Sequence, residues 1–528
     1  MSLVKNTATI GGLTLVSRVL GFVRDQLMAH FVGAGFASDA FLVAWRLPNL
    51  FRQLFAEGAF AAAYVPMFNR LVTQAEKDGE PGLPAGLRFA ENVLSILLPF
   101  LCVFTTVIMI FPKPVVWLIT LGFKDGGGPA KFLLATELTR ITFPYLALIS
   151  IVSLMGGIMN SLNRFWVNAA SPVLLNICMI AGILFFRGHS EVDTARTQAI
   201  AVTVSGVAQL AWLIWSARQA GVVLRLKRPS LTPPVRRFLR ILGPAIVGQG
   251  AVQINLLIIT MLAAGFLGQG AVSFIYYADR LNQLPLALVG IGVGTAILPV
   301  ISRQIGQGDE KGAIVTQNRA IELSLLLALP AAAALMTAAH PLIHGLMQTG
   351  HFTAEDTAAT AAVLTALACG LPAYILIKVF TPGFYARGDT KTPVRIALIE
   401  MACNMALNLT LVFGTKLGYV GLAVSGAACA WINVGLLYGV LHHRRLFAID
   451  HQLRHRLPRL LLASAAMAVV LLLIKPLVEP HLDGGLLTRA IGLAVLITPA
   501  AFAYFACAFL FGAFQWSELK GLLTRRRA

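Results

Sequence analysis

Apolar runs long enough to cross a membrane follow one another along this 528-residue chain, almost without interruption. Only 12% of the residues are charged and 57% are hydrophobic, and the mean hydropathy is +0.77. A helical crossing needs about 20 mostly apolar residues, and this composition is typical of a chain that crosses many times. The sequence therefore predicts an all-α membrane protein with about fourteen transmembrane helices.

The predicted membrane-spanning segments cover most of the chain. They are residues 8–31, 39–66, 89–112, 132–161, 166–186, 197–216, 241–266, 271–302, 320–338, 357–385, 396–415, 418–441, 460–475 and 490–515.

A weak internal repeat divides these segments into two groups of six. Pro66 and Pro299 are each followed by an arginine four residues later, and Pro144 and Pro372 lie in the fourth segment of each group. An even number of helices in each group would make the two copies parallel repeats. We therefore expect two pseudo-repeated six-helix lobes and a C-terminal two-helix hairpin. The predicted domains are 1–228 with the basic linker, 229–445, and 446–528.

The basic residues indicate orientation. The chain has 42 Lys+Arg against 23 Asp+Glu, a net charge of +19. They concentrate in every second connection, above all in 217–240, and the opposite connections hold few. This positive-inside pattern predicts a multi-pass membrane protein with both termini in the cytoplasm. The charge excess is thus explained without nucleic acid as a partner.

Five arginines interrupt segments that are otherwise apolar: Arg18, Arg24, Arg46, Arg52 and Arg280. One arginine at the centre of a membrane helix costs about 2.5 to 3.5 kcal/mol on the insertion scale. A water-filled cavity that binds an anion would offset this cost. Because guanidinium groups match phosphate oxygens, we predict that these five arginines bind a large anionic substrate.

Internal pairing is the alternative explanation for the same arginines. Asp25, Asp39, Glu57 and Asp279 could each neutralise one of them, which would leave a small positive surplus. We include these four acids, together with Ser17 beside Arg18, as supporting residues of the site.

A second polar set lies on the eleventh segment. Glu400, Asn404 and Asn408 share one helical face at intervals of four residues, which could coordinate a cation. Asparagines that hold helices together would give the same pattern. The sequence contains no motif for catalysis or ATP binding, so we expect a transporter without a cofactor. Its energy source would be the membrane potential or a coupling cation.

Several motifs resemble one known family, the MurJ (MviN) lipid II flippases. The likeness covers essentially the whole chain and is most specific in its first 60 residues. The motifs are SRVLGFVRD at 17–25, LPNLFR at 47–52, FAEGAF at 55–60, TFPY at 142–145, LNRF at 162–165, YYADRL at 276–281 and PGFYAR at 382–387.

This resemblance implies a fourteen-helix member of the multidrug/oligosaccharidyl-lipid/polysaccharide exporter superfamily. Such proteins carry lipid II, an undecaprenyl-pyrophosphate-linked disaccharide pentapeptide, to the periplasmic leaflet by alternating access. It also implies functional roles for Arg18, Arg24, Arg52, Arg280 and Asp39, and a groove for the lipid tail at the hairpin. Relatives can carry an acid where this chain has Gln283, so a charge-pairing role at that position is not expected here.

Other functions would use parts of the same pattern. A flippase for another undecaprenyl-linked glycan, such as an O-antigen precursor, would need the same arginines. A cationic drug exporter would need unpaired carboxylates in its cavity, and a glycosyltransferase would need acids on a large external loop. We therefore expect lipid II and membrane lipid as partners of a protein that functions as a monomer.

Overall fold

The computed structural model describes residues 3–53, 59–123 and 128–513, and these residues form helices and connections without any strand. They divide into two compact units, Met1–Ser273 with Thr349–Phe352, and Phe274–Gln348 with Thr353–Ala528. The helices are α1 (Leu3–Val32), α2 (Phe36–Arg52), α3 (Ala59–Lys77), α4 (Gly82–Ile110), α5 (Pro112–Thr120), α6 (Gly128–Thr142), α7 (Pro144–Ser161), α8 (Phe165–Phe186), α9 (Glu191–Gln219), α10 (Pro233–Phe266), α11 (Ala271–Pro285), α12 (Gly292–Gly306), α13 (Glu310–Thr337), α14 (Ala339–Met347), α15 (Ala354–Tyr385), α16 (Lys391–Gly414), α17 (Gly418–His443), α18 (His451–Val478) and α19 (Leu486–Leu510).

Polar caps mark where several of these helices begin. The side chain of Ser190 accepts a hydrogen bond from Asp193 N at the start of α9, and Asp450 accepts one from Leu453 N at the start of α18. Thr353 and Asp356 form a reciprocal capping box at the start of α15. Such caps satisfy amide groups that have no partner within the helix. They therefore define the residue at which each of these helices begins.

Prolines divide two of the segments that the sequence predicted as single spans. Pro144 begins α7 directly after α6, and Pro285 ends α11 before a π-helical turn at 286–291. Proline removes one backbone donor and clashes with the preceding turn, which explains both interruptions. The predicted span 39–66 is carried by α2 and α3, and residues 54–58 between them lie outside the described part of the chain.

Within the described residues, ten helical segments are long and apolar enough to cross a membrane. The predicted spans that do not qualify are 8–31, 39–66, 241–266 and 271–302. Three of these four carry the five arginines, whose charge lowers the local hydropathy. The protein is thus an all-helical, multi-pass membrane protein, while the count of fourteen spans stays a prediction.

The order of helices repeats along the chain. In the first unit, a long helix (α4) precedes a short one (α5), a pair joined at Pro144, and two further long helices (α8 and α9). In the second unit, α13 and α14 precede α15, which contains Pro372, and then α16 and α17. The two pseudo-repeated six-helix lobes stay a prediction. The bounds of the three predicted domains stay predictions.

The two C-terminal helices share the core of the second unit. Side chains of α18 and α19, including Leu460, Met467 and Tyr504, are buried in one apolar cluster with residues of α13, α15 and α17. Tyr504 Oη donates a hydrogen bond to Leu326 O in α13 at 2.6 Å. The hairpin is therefore packed into this unit along much of its length.

Candidate functional site

Arg24 is held inside the first unit by contacts with α1 and α8. Its side chain is 6% exposed. The guanidinium donates through Nε and Nη2 to Asp25 Oδ1, at 3.0 and 2.7 Å. Nη1 donates to Asn176 Oδ1 at 3.0 Å and lies 3.7 Å from Met179 Sδ. Asp25, predicted as a possible neutralising acid, therefore pairs with its own neighbour in sequence.

The orientation of Arg24 depends on a short polar chain. The amide of Asn176 donates to Ser17 O at 2.9 Å while its oxygen accepts from Arg24. Gly21 lies opposite this amide, and a Cβ there would contact Asn176 Nδ2 at 3.6 Å. The Ser17 backbone is thus linked to Arg24 through one side chain of α8.

Arg18 occupies a different face of α1. Arg18 and Arg24 are six residues apart, so their side chains leave the axis of α1 in directions about 120° apart. They therefore cannot form a single stripe along the helix. Arg18 is exposed, and the described residues offer it no hydrogen bond or ion pair. Its guanidinium is therefore accessible, in contrast to the buried group of Arg24.

The two arginines of α2 are half-buried, and polar contacts fix the face of this helix that packs against α10. Arg46 Nη2 donates to Leu256 O at 3.1 Å. Seven residues later, Gln53 Oε1 accepts from Gln253 Nε2 at 2.7 Å. Arg52 Nε donates to Asn49 Oδ1 at 3.1 Å, one turn back along α2. These bonds position the α2 arginines along a continuous helix that contains Pro48.

Asp39 is paired with a lysine. Lys131 Nζ lies 3.0 Å from Asp39 Oδ2, and both side chains are buried. The same carboxylate accepts hydrogen bonds from Gly270 N at 2.8 Å, Ser273 N at 3.0 Å and Ser273 Oγ at 2.6 Å. Four donors therefore surround this carboxylate, and Lys131, which the sequence placed in an exposed connection, is 1% exposed at the start of α6.

Arg280 lies on α11 in the second unit. Its guanidinium carbon is 4.8 Å from the centre of the Tyr276 ring, and Nη2 donates to Tyr276 Oη at 2.9 Å. Asp279 accepts a hydrogen bond from Gln283. The amide at position 283 is thus a neutral hydrogen-bond partner of Asp279.

The remaining predicted residues lie elsewhere. Glu57 falls outside the described residues. On α16, Asn404 Nδ2 donates to Ser425 Oγ in α17 at 3.1 Å, and Asn408 Nδ2 donates to Asn404 Oδ1 at 2.9 Å. Glu400 accepts from Asn433 at 2.6 Å. Asn404 and Glu400 thus bond to α17, Asn408 bonds within α16, and the cation site stays a prediction.

Two residues of this region were not predicted from the sequence. Asn176 interrupts an apolar run of α8, and an amide within a membrane helix is a signal that could have indicated an interhelical bond. Lys131 gave no comparable signal, because a lysine at the end of a span commonly lies in water. Only the fold shows that Asp39 is its partner.

The arrangement is suited to binding rather than to catalysis. Among the residues that the structure describes, no group of three or more His, Cys, Asp or Glu side chains could hold a metal ion. The first unit instead presents guanidinium groups on two helices, with one carboxylate directly paired to Arg24. Guanidinium groups bind planar or tetrahedral oxyanions through two parallel hydrogen bonds.

Comparison with known proteins gives consistent results over the full length. Residues 28–491 match the family model described as lipid II flippase MurJ. The chain is 41% identical over 531 residues to a probable lipid II flippase MurJ of Rhizobium meliloti (strain 1021), covering 99% of this chain and 97% of that protein. It is 40% identical to a probable lipid II flippase MurJ of Rhizobium tropici, covering 100% of this chain and 98% of that protein.

A solved structure has the same fold. It is described as lipid II flippase MurJ in an inward closed conformation, and it matches with a TM-score of 0.75 at 22% sequence identity. The match covers 95% of this chain and 98% of that chain. The proteins of this family are transporters and not enzymes. With the family model matching most of its length and relatives at about 40% identity end to end, this chain is a member of the MurJ family of lipid II flippases.

Proposed function

We propose that this protein moves lipid II from the cytoplasmic to the periplasmic leaflet of the inner membrane by alternating access, with intramembrane arginines binding the pyrophosphate. The observation that carries the proposal is the presence of arginines on α1 and α2, in helices of a protein whose full-length relatives are named as lipid II flippases.

The pyrophosphate is the part of this substrate that arginines recognise best. It carries several oxygens in the geometry that guanidinium forks match, and each charge-assisted hydrogen bond contributes about 1.5 to 3 kcal/mol. Arg18 is exposed on α1, and Arg24 is oriented by Asn176. These two groups, with Arg46 and Arg52 on α2 and Arg280 on α11, form the proposed binding set.

Release of the substrate requires that binding is not too strong. Asp25 lies 2.7 Å from Arg24 and reduces its effective positive charge. A pyrophosphate would therefore replace the Asp25 carboxylate as the partner of Arg24 when it binds, and Asp25 would pair with Arg24 again when the substrate leaves. The membrane potential supplies about 2.3 kcal/mol per elementary charge per 100 mV, and we propose that it drives the cycle without a cofactor. The protein would act as a monomer with both termini in the cytoplasm.

Transport of fluorescent lipid II in proteoliposomes tests the proposal. Arg24→Ala and Arg52→Ala should each lower the transport rate by about tenfold or more, because each removes at least one charge-assisted bond to the pyrophosphate. Arg140→Ala is the matched control, since Arg140 is an exposed arginine of α6 that donates to Met109 O. Thermal unfolding in detergent would show that each variant is folded.

The outcome that contradicts the proposal is full transport by both Arg24→Ala and Arg52→Ala. The substrate itself is tested by competition between lipid II and an undecaprenyl-linked O-antigen precursor. Preference for the O-antigen precursor would assign the same arginines to another glycan. In a depletion strain, restoring this gene should release labelled lipid II that had accumulated in the inner leaflet.

A further inference from the structure

Exposed arginines are concentrated on the connection between α9 and α10 and on the first turns of α10. None has an acidic partner among the residues that the structure describes. They are Arg225, Arg228, Arg236, Arg237 and Arg240, and we call this set the basic linker surface. In the same unit, the exposed Arg88 pairs with Glu80 and the half-buried Arg196 pairs with Glu137.

Buried polar groups of α4 hold the connection in place. Glu91 Oε1 accepts from Arg225 N at 3.0 Å, and Ser95 Oγ accepts from Lys227 N at 2.9 Å. Glu91 Oε2 also lies 2.6 Å from Lys227 Nζ. Because these contacts use the backbone of Arg225, its side chain remains available to solvent. The linker is a positioned surface of the first unit.

Aromatic packing fixes the start of α10 in the same way. The buried Phe238 ring lies edge-to-face with Phe60 at 5.5 Å and with Phe89 at 5.9 Å, measured between ring centres. Val235, three residues earlier, is also buried. With Val235 and Phe238 turned inward, the neighbouring arginines at 236, 237 and 240 project outward from this helix.

Large apolar side chains are exposed among the arginines. Leu226 is 65% exposed and Leu231 is 55% exposed, and Val223, Leu239 and Ile241 are also exposed. Binding of a soluble anion requires basic side chains and does not require exposed leucines beside them. Interleaved arginines and leucines are typical of a segment that lies in the headgroup region of a bilayer, with its apolar side chains in the acyl boundary.

We propose that the basic linker surface binds anionic phospholipid headgroups, with Leu226 and Leu231 inserted beside them. The positive-inside distribution predicts that this connection is cytoplasmic, where anionic lipids attract basic segments next to the membrane. The surface would hold the start of α10 against the bilayer. This inference does not depend on which lipid the protein transports.

Lipid retention by the purified full-length protein tests this inference. The protein is placed in nanodiscs of phosphatidylcholine with or without phosphatidylglycerol, and the lipids retained after release are counted by native mass spectrometry. We expect enrichment of phosphatidylglycerol. The triple variant Arg236→Gln, Arg237→Gln and Arg240→Gln should bind it about a hundredfold more weakly, because three attractions to the headgroups are lost.

Three further variants separate the possible sources of binding. Replacing the same three arginines by lysine should retain the enrichment, since the charge is kept. Leu226→Ser with Leu231→Ser should reduce it. Lys113→Gln with Lys416→Gln, exposed in connections that the sequence predicts on the opposite side, should leave it unchanged.

Hydrogen exchange provides an independent readout. Amides of residues 222–240 should exchange more slowly with phosphatidylglycerol present, and this protection should disappear in the triple glutamine variant. Equal enrichment and equal protection in wild type and triple glutamine variant would overturn the proposal. Displacement of phosphatidylglycerol by inorganic phosphate alone would overturn it too, because it would indicate a site for a free anion.

Discussion

Asn176 determines how Arg24 is presented, because its amide joins the guanidinium to the backbone of α1. Its oxygen is 3.0 Å from Arg24 Nη1, and its nitrogen is 2.9 Å from Ser17 O. An amide oxygen accepts a hydrogen bond without neutralising the guanidinium charge. The residue therefore fixes direction and leaves the charge available for an anion.

Replacing Asn176 should alter transport in two distinguishable ways. Asn176→Ala removes the acceptor, so we expect the maximal transport rate to fall by about tenfold as Arg24 loses its orientation. Asn176→Asp adds a second carboxylate beside Arg24, which competes with the pyrophosphate. That variant should mainly raise the lipid II concentration at half-maximal transport, measured in proteoliposomes.

A buried amide elsewhere serves as the control. Gln317 in α13 is buried and donates to Val379 O at 3.3 Å, so Gln317→Ala also removes a buried amide. It should lower stability without changing the concentration dependence of transport. Identical kinetics for Asn176→Asp and Gln317→Ala would show that Asn176 has only a packing role.

The arginines and the adjacent Asp25 could be found from the sequence, whereas partners that lie far away along the chain could not. A charge within an apolar run is visible in the sequence because of its cost in lipid. Asp25 is adjacent to Arg24, so this pair was among the predicted possibilities. Asn176 is 152 residues from Arg24, and Lys131 is 92 residues from Asp39. Contacts over such separations depend on which helices pack together, which a single sequence does not determine.

The Asp39–Lys131 pair should contribute strongly to stability. Lys131→Met leaves the buried carboxylate without its counter-charge, and we expect a loss of about 3 to 5 kcal/mol. Asp39→Asn combined with Lys131→Met should recover part of this loss, because the remaining donors can then bond to a neutral amide. Thermal unfolding in detergent measures the free energy of unfolding of the two single variants and of the double variant. If the effects of the two single changes added strictly in the double variant, direct coupling between Asp39 and Lys131 would be excluded.

At the scale of elements, charged groups join α13 to the start of α18. Glu322 is buried and accepts hydrogen bonds from Arg319 and Arg456, and Arg319 also contacts Asp450. Asn318 Nδ2 donates to Ala448 O at 2.9 Å, just before the cap of α18. Since Asp450 caps α18, one polar network both begins this helix and attaches it to α13.

Removing the acid at the centre of this network should loosen α18. Glu322→Ala breaks the ion pair between the buried Glu322 and Arg456, and we expect unfolding to become easier by about 3 to 5 kcal/mol. Hydrogen exchange should rise at residues 450–460 and stay unchanged in α8. The control Glu355→Ala removes an exposed acid from the first turn of α15 and should have little effect. Equal exchange in the two variants would contradict the assignment.

The sequence predicted most elements, but not their interruptions. The length of the apolar runs locates α16 and α17 well, because each is one uninterrupted apolar helix, whereas α13 begins ten residues before its predicted span. The break at Pro144 and the π-helical turn after Pro285 were missed. A proline in a membrane helix can bend it or end it, and neighbouring helices decide which occurs. These breaks fall in segments that the sequence had treated as single spans.

At the scale of the whole molecule, the distribution of basic residues predicts which connections face the cytoplasm. α9 has 29 residues and therefore a length of about 43 Å, which exceeds the bilayer core of about 30 Å. The connection before it, at 187–190, has one basic residue, whereas 220–232 carries three. The two ends of α9 should thus lie on opposite sides of the membrane.

Reporter fusions test this topology directly. Alkaline phosphatase fused after Gly188 or Gly484 should be active, because these turns are predicted to be periplasmic. Green fluorescent protein fused after Pro229 or Arg445 should fluoresce, because these connections are predicted to be cytoplasmic. Gly188 and Pro229 flank α9 in the first unit, and Arg445 and Gly484 flank α18 in the second. Each unit therefore has its own pair of fusion sites on opposite sides of one helix. If phosphatase were active at both ends of α9, this helix would not cross, and the parity of every later helix, and with it the cytoplasmic C-terminus, would have to change.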